Sequence, residues 1–379
     1  MNILLQGHIA VSGESYFREA ADPHWKIQTW TPDTGSENTF AEMAAVANVI
    51  VGGNIPGDSW PAAPALSLFQ IPWTGYNHTG PERIPLNVPV CNCFEHESAI
   101  AEYVLLAMLE WEIRLGQMHK CMCEHGWAGR VTGLSGDYHG EVSGKTVGFV
   151  GYGHIAREIA KRAAAFDMSL MAIRRNTEHK PEELTWLGSS EQLPELLGKS
   201  DFVVIACDLN TSTRNLFNSQ SIKQMKSTGV LINVSRGGII EEEALYNALK
   251  TKCIGGAVID TWYNYNEQGK PEVSPYNYPF NELDNIIMSA HESAWTEQQA
   301  KRRWEFIAKN VKRIENGQEP ENKVFTGTAE HLTNNMALLS VNQTGSSEVS
   351  HLNDHDSDPV GRDTEFKFQL KLLLIPLRS

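Results

Sequence analysis

Short apolar runs alternate with turn residues from the beginning of the chain. Residues 2–6 read as a first strand, and Val49-Ile50-Val51 runs into Gly52-Gly53-Asn54. Leu68-Phe69-Gln70-Ile71 precedes Gly75-Tyr76-Asn77, and Pro89-Val90-Cys91-Asn92-Cys93 is a further strand. A helical patch at 39–47 lies between them, and strands alternating with helices imply βαβ units around a parallel sheet. Over 97–115 the period changes. Ala99, Ile100, Tyr103, Val104, Ala107, Met108 and Trp111 recur at three- and four-residue steps, which predicts one long amphipathic helix. Val104-Leu105-Leu106 gives it apolar surface on a second side, as suits a helix clamped between two domains.

From residue 145 the alternation is regular. Strand 145–150 ends at glycines, and helices at 155–166, 191–197, 219–225 and 241–250 alternate with strands at 169–173, 202–206, 230–234 and 256–259. A last strand at 286–288 ends near Ala290-His291, and helix 295–316 returns to the first domain. This predicts a doubly wound α/β unit that binds ligands at the carboxyl ends of its strands. The expected organisation is a substrate-binding domain at 1–97 completed by 295–326, a dinucleotide-binding domain at 98–294, and a disordered tail at 327–379. The tail is expected because 343–363 is rich in Ser, Asp, Asn and His with few apolar residues.

Composition narrows the function. The chain has 379 residues, 41% hydrophobic and 21% charged, and a net charge of −14 that argues against nucleic acid as a partner. No run approaches the length of a membrane span. The start lacks the basic lead and apolar core of a signal peptide, so a cytoplasmic location is expected. The pairs Cys91/Cys93 and Cys121/Cys123 have a spacing ill-suited to zinc and read as ordinary thiols, with no metal expected.

Gly148-Phe149-Val150-Gly151-Tyr152-Gly153-His154-Ile155-Ala156 is strand, tight glycine turn, then helix. Such a turn lets the backbone approach a pyrophosphate while the helix N-terminus offers free N–H groups, so Gly151, Gly153, His154 and Ile155 are expected to bind a dinucleotide. The next strand ends in Ile173-Arg174-Arg175-Asn176. It has no carboxylate for a ribose hydroxyl but two guanidiniums suited to a 2′-phosphate, which favours NADP(H) over NAD(H).

These residues, with Gly75-Tyr76-Asn77-His78, Glu97-Ser98-Ala99-Ile100-Ala101-Glu102, Asn233-Val234-Ser235-Arg236-Gly237-Gly238, Val258-Ile259-Asp260 and Ala290-His291-Glu292-Ser293, resemble the D-isomer-specific 2-hydroxyacid dehydrogenase family over residues 45–325. The resemblance implies two flavodoxin-like or Rossmann-like domains with an active-site cleft and a homodimer. It implies a glyoxylate- or hydroxypyruvate-like 2-keto acid as substrate. By position it makes Arg236 the substrate arginine, His291 the proton donor, Asp260 a contact to the nicotinamide carboxamide, and Gly52 and Gly53 amide donors to the substrate carboxylate. Where the family has a glutamate that pairs with the histidine, this chain has Tyr265. Glu267 or Glu272 is the expected substitute, Glu267 the one assigned, and the remaining alternative is that the chain lacks the His–Glu pair. A competing reading is a nucleotide-sensing scaffold similar to dehydrogenase-like corepressors, for which a missing glutamate would matter less.

Overall fold

In the computed structural model, residues 1–53, 61–76, 79–129, 138–265 and 273–332 are described. Over the described residues the chain forms two compact units, one of Met1–Glu95 with 296–332, the other of His96–Trp295. The first unit opens with β1 (Asn2–Gln6), α1 (His8–Ser12), α2 (Glu14–Ala20), β2 (Lys26–Trp30), α3 (Glu37–Val46), β3 (Val49–Val51), β4 (Leu68–Gln70) and β5 (Pro89–Cys91).

The second unit begins with α4 (Glu97–Ile113) and α5 (Leu115–His125), then β6 (Thr146–Val150), α6 (His154–Ala164), β7 (Ser169–Ile173) and β8 (Trp186–Gly188). It continues through α7 (Leu193–Lys199), β9 (Phe202–Ile205), α8 (Ser219–Ile222), β10 (Val230–Asn233), α9 (Glu242–Lys250), β11 (Gly256–Ile259) and β12 (Ile286–Met288). Helix α10 (Glu297–Glu315) and β13 (Lys323–Thr326) return to the first unit.

The first sheet runs β13-β5-β4-β3-β1-β2, parallel except for β13. Successive side chains of a strand point to opposite faces. Accordingly Leu4 joins Phe40, Ile50 and Phe69 on one face, while Ile3 and Leu5 join Phe17, Trp304 and Val311 on the other. Thr296 starts α10 by accepting the Gln299 N–H on its hydroxyl at 3.1 Å, filling one of the four orphan donors of a helix end. The buried Gln70 ties this unit together. Its Nε2 donates to the carbonyls of Ile71, Cys91 and Asn92, and its Oε1 accepts from Asn310 of α10 at 2.9 Å.

The second sheet runs β12-β11-β10-β9-β6-β7-β8, all parallel. Its central strands are buried on both faces, as parallel sheets require. Phe202, Val204 and Ile232 pack with α4 and α6, whereas Val203, Ile205 and Leu231 pack on the opposite side. Alanines 156, 160 and 163 let α6 lie close to Ile100, Val104 and Met108 of α4.

Three expectations are corrected. The helix foreseen over 97–115 breaks at Arg114, whose left-handed backbone (φ 58°) ends α4 and starts α5. Residues 327–332, expected in a disordered tail, are folded: the N–H groups of Gly327, Thr328 and Ala329 donate to Val88, Pro81 and Ile84, and Leu332 is buried. The rest of that segment, 333–379, lies outside the described residues. Strands β2, β8 and β13 are present where the hydrophobic pattern had marked none.

Candidate active site

Because the second sheet is wholly parallel, its loops after β6, β7, β10, β11 and β12 all leave from one edge. They carry Gly151, Arg174, Arg236, Asp260 and His291, so five residues far apart in the chain come to the same side of one sheet. The strand order reverses at β6, with β7 on one flank and β9 on the other. That is the position at which a dinucleotide lies in such sheets.

The turn after β6 fits a pyrophosphate. Gly151 has φ 91°, and a Cβ there would stand 2.8 Å from the Ala206 carbonyl oxygen, so only glycine serves. At Gly153 an added Cβ would meet nothing within 4 Å, leaving open space over the turn. Gly153 caps α6 without a side-chain hydrogen bond, and His154 and Ile155 form its first turn, the end of a helix that favours an anion. Ala156 is fully buried against α4. Across the turn, the Tyr152 hydroxyl donates to Glu183 at 2.7 Å.

Arg174 and Arg175 follow β7. Arg175 is exposed. Arg174 donates through Nη2 to the His179 carbonyl, and its buried Nε has no partner among the described residues.

On the other flank, an Asn-anchored turn holds Arg236. The Asn233 side chain accepts from the Ser235 N–H at 3.0 Å and donates to the Arg236 carbonyl at 3.0 Å. Gly237 then passes so close to Trp262 that a Cβ would lie 2.2 Å from its carbonyl oxygen. The guanidinium donates to the Ser235 carbonyl at 2.8 Å and bears on both His291 and Tyr265 electrostatically.

His291 is half-buried and has a left-handed backbone, φ 60°, unusual for a residue with a side chain. Asp260 holds it there. Its Oδ1 accepts from Ser289 Oγ at 2.6 Å and from the N–H groups of Glu292 and Ser293, and its Oδ2 accepts from the Ser293 N–H and hydroxyl. The Tyr103 hydroxyl reaches Ser289 Oγ at 2.6 Å, extending the network into α4. The imidazole Nδ1 meets the Tyr265 hydroxyl at 3.0 Å, and that same oxygen accepts the Trp262 N–H at 3.1 Å. Burial, then the nearby Arg236 charge, push the His291 pKa down to about 4, and Asp260 only partly opposes them. Burial raises the Tyr265 phenol, so it keeps its proton.

Asp260, expected against the nicotinamide, has no solvent exposure, and both its oxygens accept hydrogen bonds from residues 289–293. Gly52, expected to offer its amide to a carboxylate, donates it to the Gln70 carbonyl at 3.0 Å, because it continues the β3–β4 pairing. The Gly53 N–H donates to no backbone carbonyl among the described residues. Glu267 and Glu272 lie outside the described residues. The serines at 289 and 293 and the tyrosine at 103 were not foreseen, although serines two places either side of a histidine were a usable signal. Cys91 and Cys93 are buried and are not joined in a disulfide. No helix among the described residues is long and apolar enough to cross a membrane.

A glycine turn on a doubly wound sheet, with an arginine and a histidine past its far strands, defines the class as a nicotinamide-dependent dehydrogenase. The sequence pattern of the D-isomer specific 2-hydroxyacid dehydrogenase NAD binding domain matches residues 105–293, and the chain belongs to that family of oxidoreductases. It is 28% identical over 328 residues to a glyoxylate reductase of Thermococcus onnurineus, covering 84% of this chain and 94% of that protein. A glyoxylate reductase of Thermococcus kodakarensis is 34% identical over 181 residues, 48% of this chain and 51% of that protein, so the stronger identity spans about half of each. The fold is similar to that of a D-isomer specific 2-hydroxyacid dehydrogenase from Lactobacillus delbrueckii in its NAD-complexed form. There the TM-score is 0.70 at 20% identity, covering 86% of this chain and 100% of that one.

Proposed function

We propose that the protein reduces a small 2-keto acid of the glyoxylate or hydroxypyruvate kind to its 2-hydroxy acid, with NADPH preferred to NADH. The observation that carries this reading is the pairing of Arg236 and His291 past the ends of β10 and β12, on the sheet edge that also holds the dinucleotide turn. Glyoxylate reductases among the relatives support the substrate class.

When bound, the reduced nicotinamide supplies the hydride. Gly151, Gly153 and the first turn of α6 would hold its pyrophosphate, and the guanidiniums of Arg174 and Arg175 its 2′-phosphate. Arg236 grips the substrate carboxylate and polarises the adjoining carbonyl. His291 gives its Nε2 proton to the carbonyl oxygen as the C=O π bond breaks, and takes it back in the reverse direction. A homodimer in the cytoplasm fits this reading. Exposed Leu106, Leu115, Met122 and Trp127 along α4, α5 and the following turn supply an apolar surface for self-association.

The test is loss of nicotinamide absorbance with NADPH and NADH against a panel of small 2-keto acids. Faster turnover with NADPH is expected. Tight cofactor binding without turnover of any keto acid would instead support a nucleotide-sensing role.

A further inference from the structure

We propose that Tyr152 is a positioning residue for the cofactor's 2′-phosphate: its hydroxyl holds Glu183, and through it the loop between β7 and β8 that sets the guanidinium of Arg174. The inference rests on the proposed reading of Arg174 and Arg175 as the 2′-phosphate site.

Tyr152 stands between the two glycines of the dinucleotide turn. Its ring is buried in the apolar cluster that holds Leu170, Ala172 and Leu184, and lies edge-on to Phe149 with 5.6 Å between centroids. A buried phenol needs an acceptor for its O–H, and a carboxylate makes that bond charge-assisted, about twice as strong as a neutral one. Tyr152 donates to Glu183 Oε1 at 2.7 Å. Burial, then the bond to Glu183, raise the phenol's pKa, so it keeps the proton it donates. Arg157 and Arg174 oppose that rise, which puts both guanidiniums within electrostatic reach of the hydroxyl.

From Glu183 a short path leads to Arg174. The carbonyl of Leu184, the next residue, accepts from Lys180 Nζ. The carbonyl of His179, beside Lys180, accepts from Arg174 Nη2. Phenol and guanidinium are thus joined by three hydrogen bonds and two steps along the backbone. The ends of the loop are fixed to the sheet. Arg174 N–H donates to the Gly188 carbonyl at 3.1 Å, and the Thr185 N–H and hydroxyl both reach the Leu170 carbonyl at 2.8 Å. Between those ends residues 175–180 are exposed, and exposed backbone with few buried contacts opens easily. Tyr152 ties the far side of this loop to the turn that holds the pyrophosphate.

The tie bears on phosphate recognition in two ways. A guanidinium grips a phosphate through a planar fork, so its orientation matters, and fixing it before the cofactor arrives removes an ordering cost from binding. The same bond engages Glu183 with a neutral donor. A carboxylate paired to Arg174 would cancel the charge that draws the phosphate; paired to a phenol it does not.

The test measures the affinity of the full-length protein for NADPH and NADH by calorimetric titration, and amide hydrogen exchange in the protein without cofactor. Tyr152→Phe should weaken NADPH binding about three- to tenfold and NADH binding less than about twofold, since NADH has no 2′-phosphate to lose. Exchange over residues 176–185 should quicken. Glu183→Gln keeps an oxygen acceptor for the phenol and should keep the preference for NADPH, whereas Glu183→Ala should lower it as Tyr152→Phe does. If Glu183 acted through its charge alone, both changes at 183 would strengthen NADPH binding instead. An equal loss for both cofactors in Tyr152→Phe, unchanged exchange in the loop, or a raised preference in Glu183→Ala overturns the proposal. A wild type that binds the two cofactors alike overturns the 2′-phosphate reading and this proposal with it. A wild-type preference that Tyr152→Phe leaves intact overturns this proposal alone.

Discussion

Holding His291 neutral has a measurable consequence for stability. The folded pKa is about 4 against an ordinary value of 6.5. Between those values the unfolded chain takes up a proton that the folded chain refuses. The folded pKa lies below the unfolded one, so this stability is complete above about pH 6.5 and is lost as pH falls toward 4. At 1.36 kcal/mol per unit, lowering the pH from about 7 to about 4.5 should cost roughly 2 kcal/mol through this residue alone. Other groups titrate over the same range, so the measurement is a difference of differences. Urea unfolding of wild type and His291→Asn would be followed at both pH values, on the transition of the unit that contains the residue. Asparagine is chosen because it tolerates the left-handed backbone at this position, and any constant effect of the substitution cancels between the two pH values. The wild type should lose roughly 2 kcal/mol more than the variant on acidification. Equal losses would mean that the folded protein protonates His291 as readily as the unfolded chain does, and the reasoning from burial and Arg236 would be refuted.

The same residue governs the rate. Reduction needs the imidazolium, so kcat/KM should fall about tenfold per pH unit above the free-enzyme pKa. An anion on Arg236 cancels one of the two causes depressing His291, so full pH–rate profiles should place the pKa in kcat above that in kcat/KM; coincident values would contradict the placement of Arg236. Replacing Arg174 and Arg175 together with alanine should raise the KM for NADPH about tenfold or more while sparing NADH, and unchanged NADPH kinetics would remove the 2′-phosphate assignment. Gly151→Ala forces a side chain into a left-handed position 2.8 Å from the Ala206 carbonyl oxygen, and calorimetric titration should show NADPH affinity falling by more than about tenfold. Asp260→Asn turns one buried acceptor into a donor facing Ser289 or Ser293, and thermal unfolding should register a loss of about 1–3 kcal/mol.

The hydrophobic periods alone placed most strands of the dinucleotide unit. β7 and β11 fall on the residues foreseen, because a strand buried on both faces must be an uninterrupted apolar run, and such runs are visible in one dimension; β12, at the sheet edge, was foreseen from the same kind of run. Arg236 and His291 could be singled out for a similar reason: local motifs surround them, and a parallel sheet sends every strand end to one edge. What the sequence left undecided depends on contacts between distant segments. β13 is polar at half its positions and is a strand only because β5 offers it a free edge. Arg114 is indistinguishable in sequence from its helical neighbours, yet the chain turns there. The partners of Asp260 and Tyr265 were the least legible. Which donors a buried carboxylate accepts from, and which hydroxyl meets a histidine, is set by approaches of under about 3 Å between residues some thirty positions apart. Residue type and spacing fix which groups are present, and only the packed chain decides which lone pairs they have left to use.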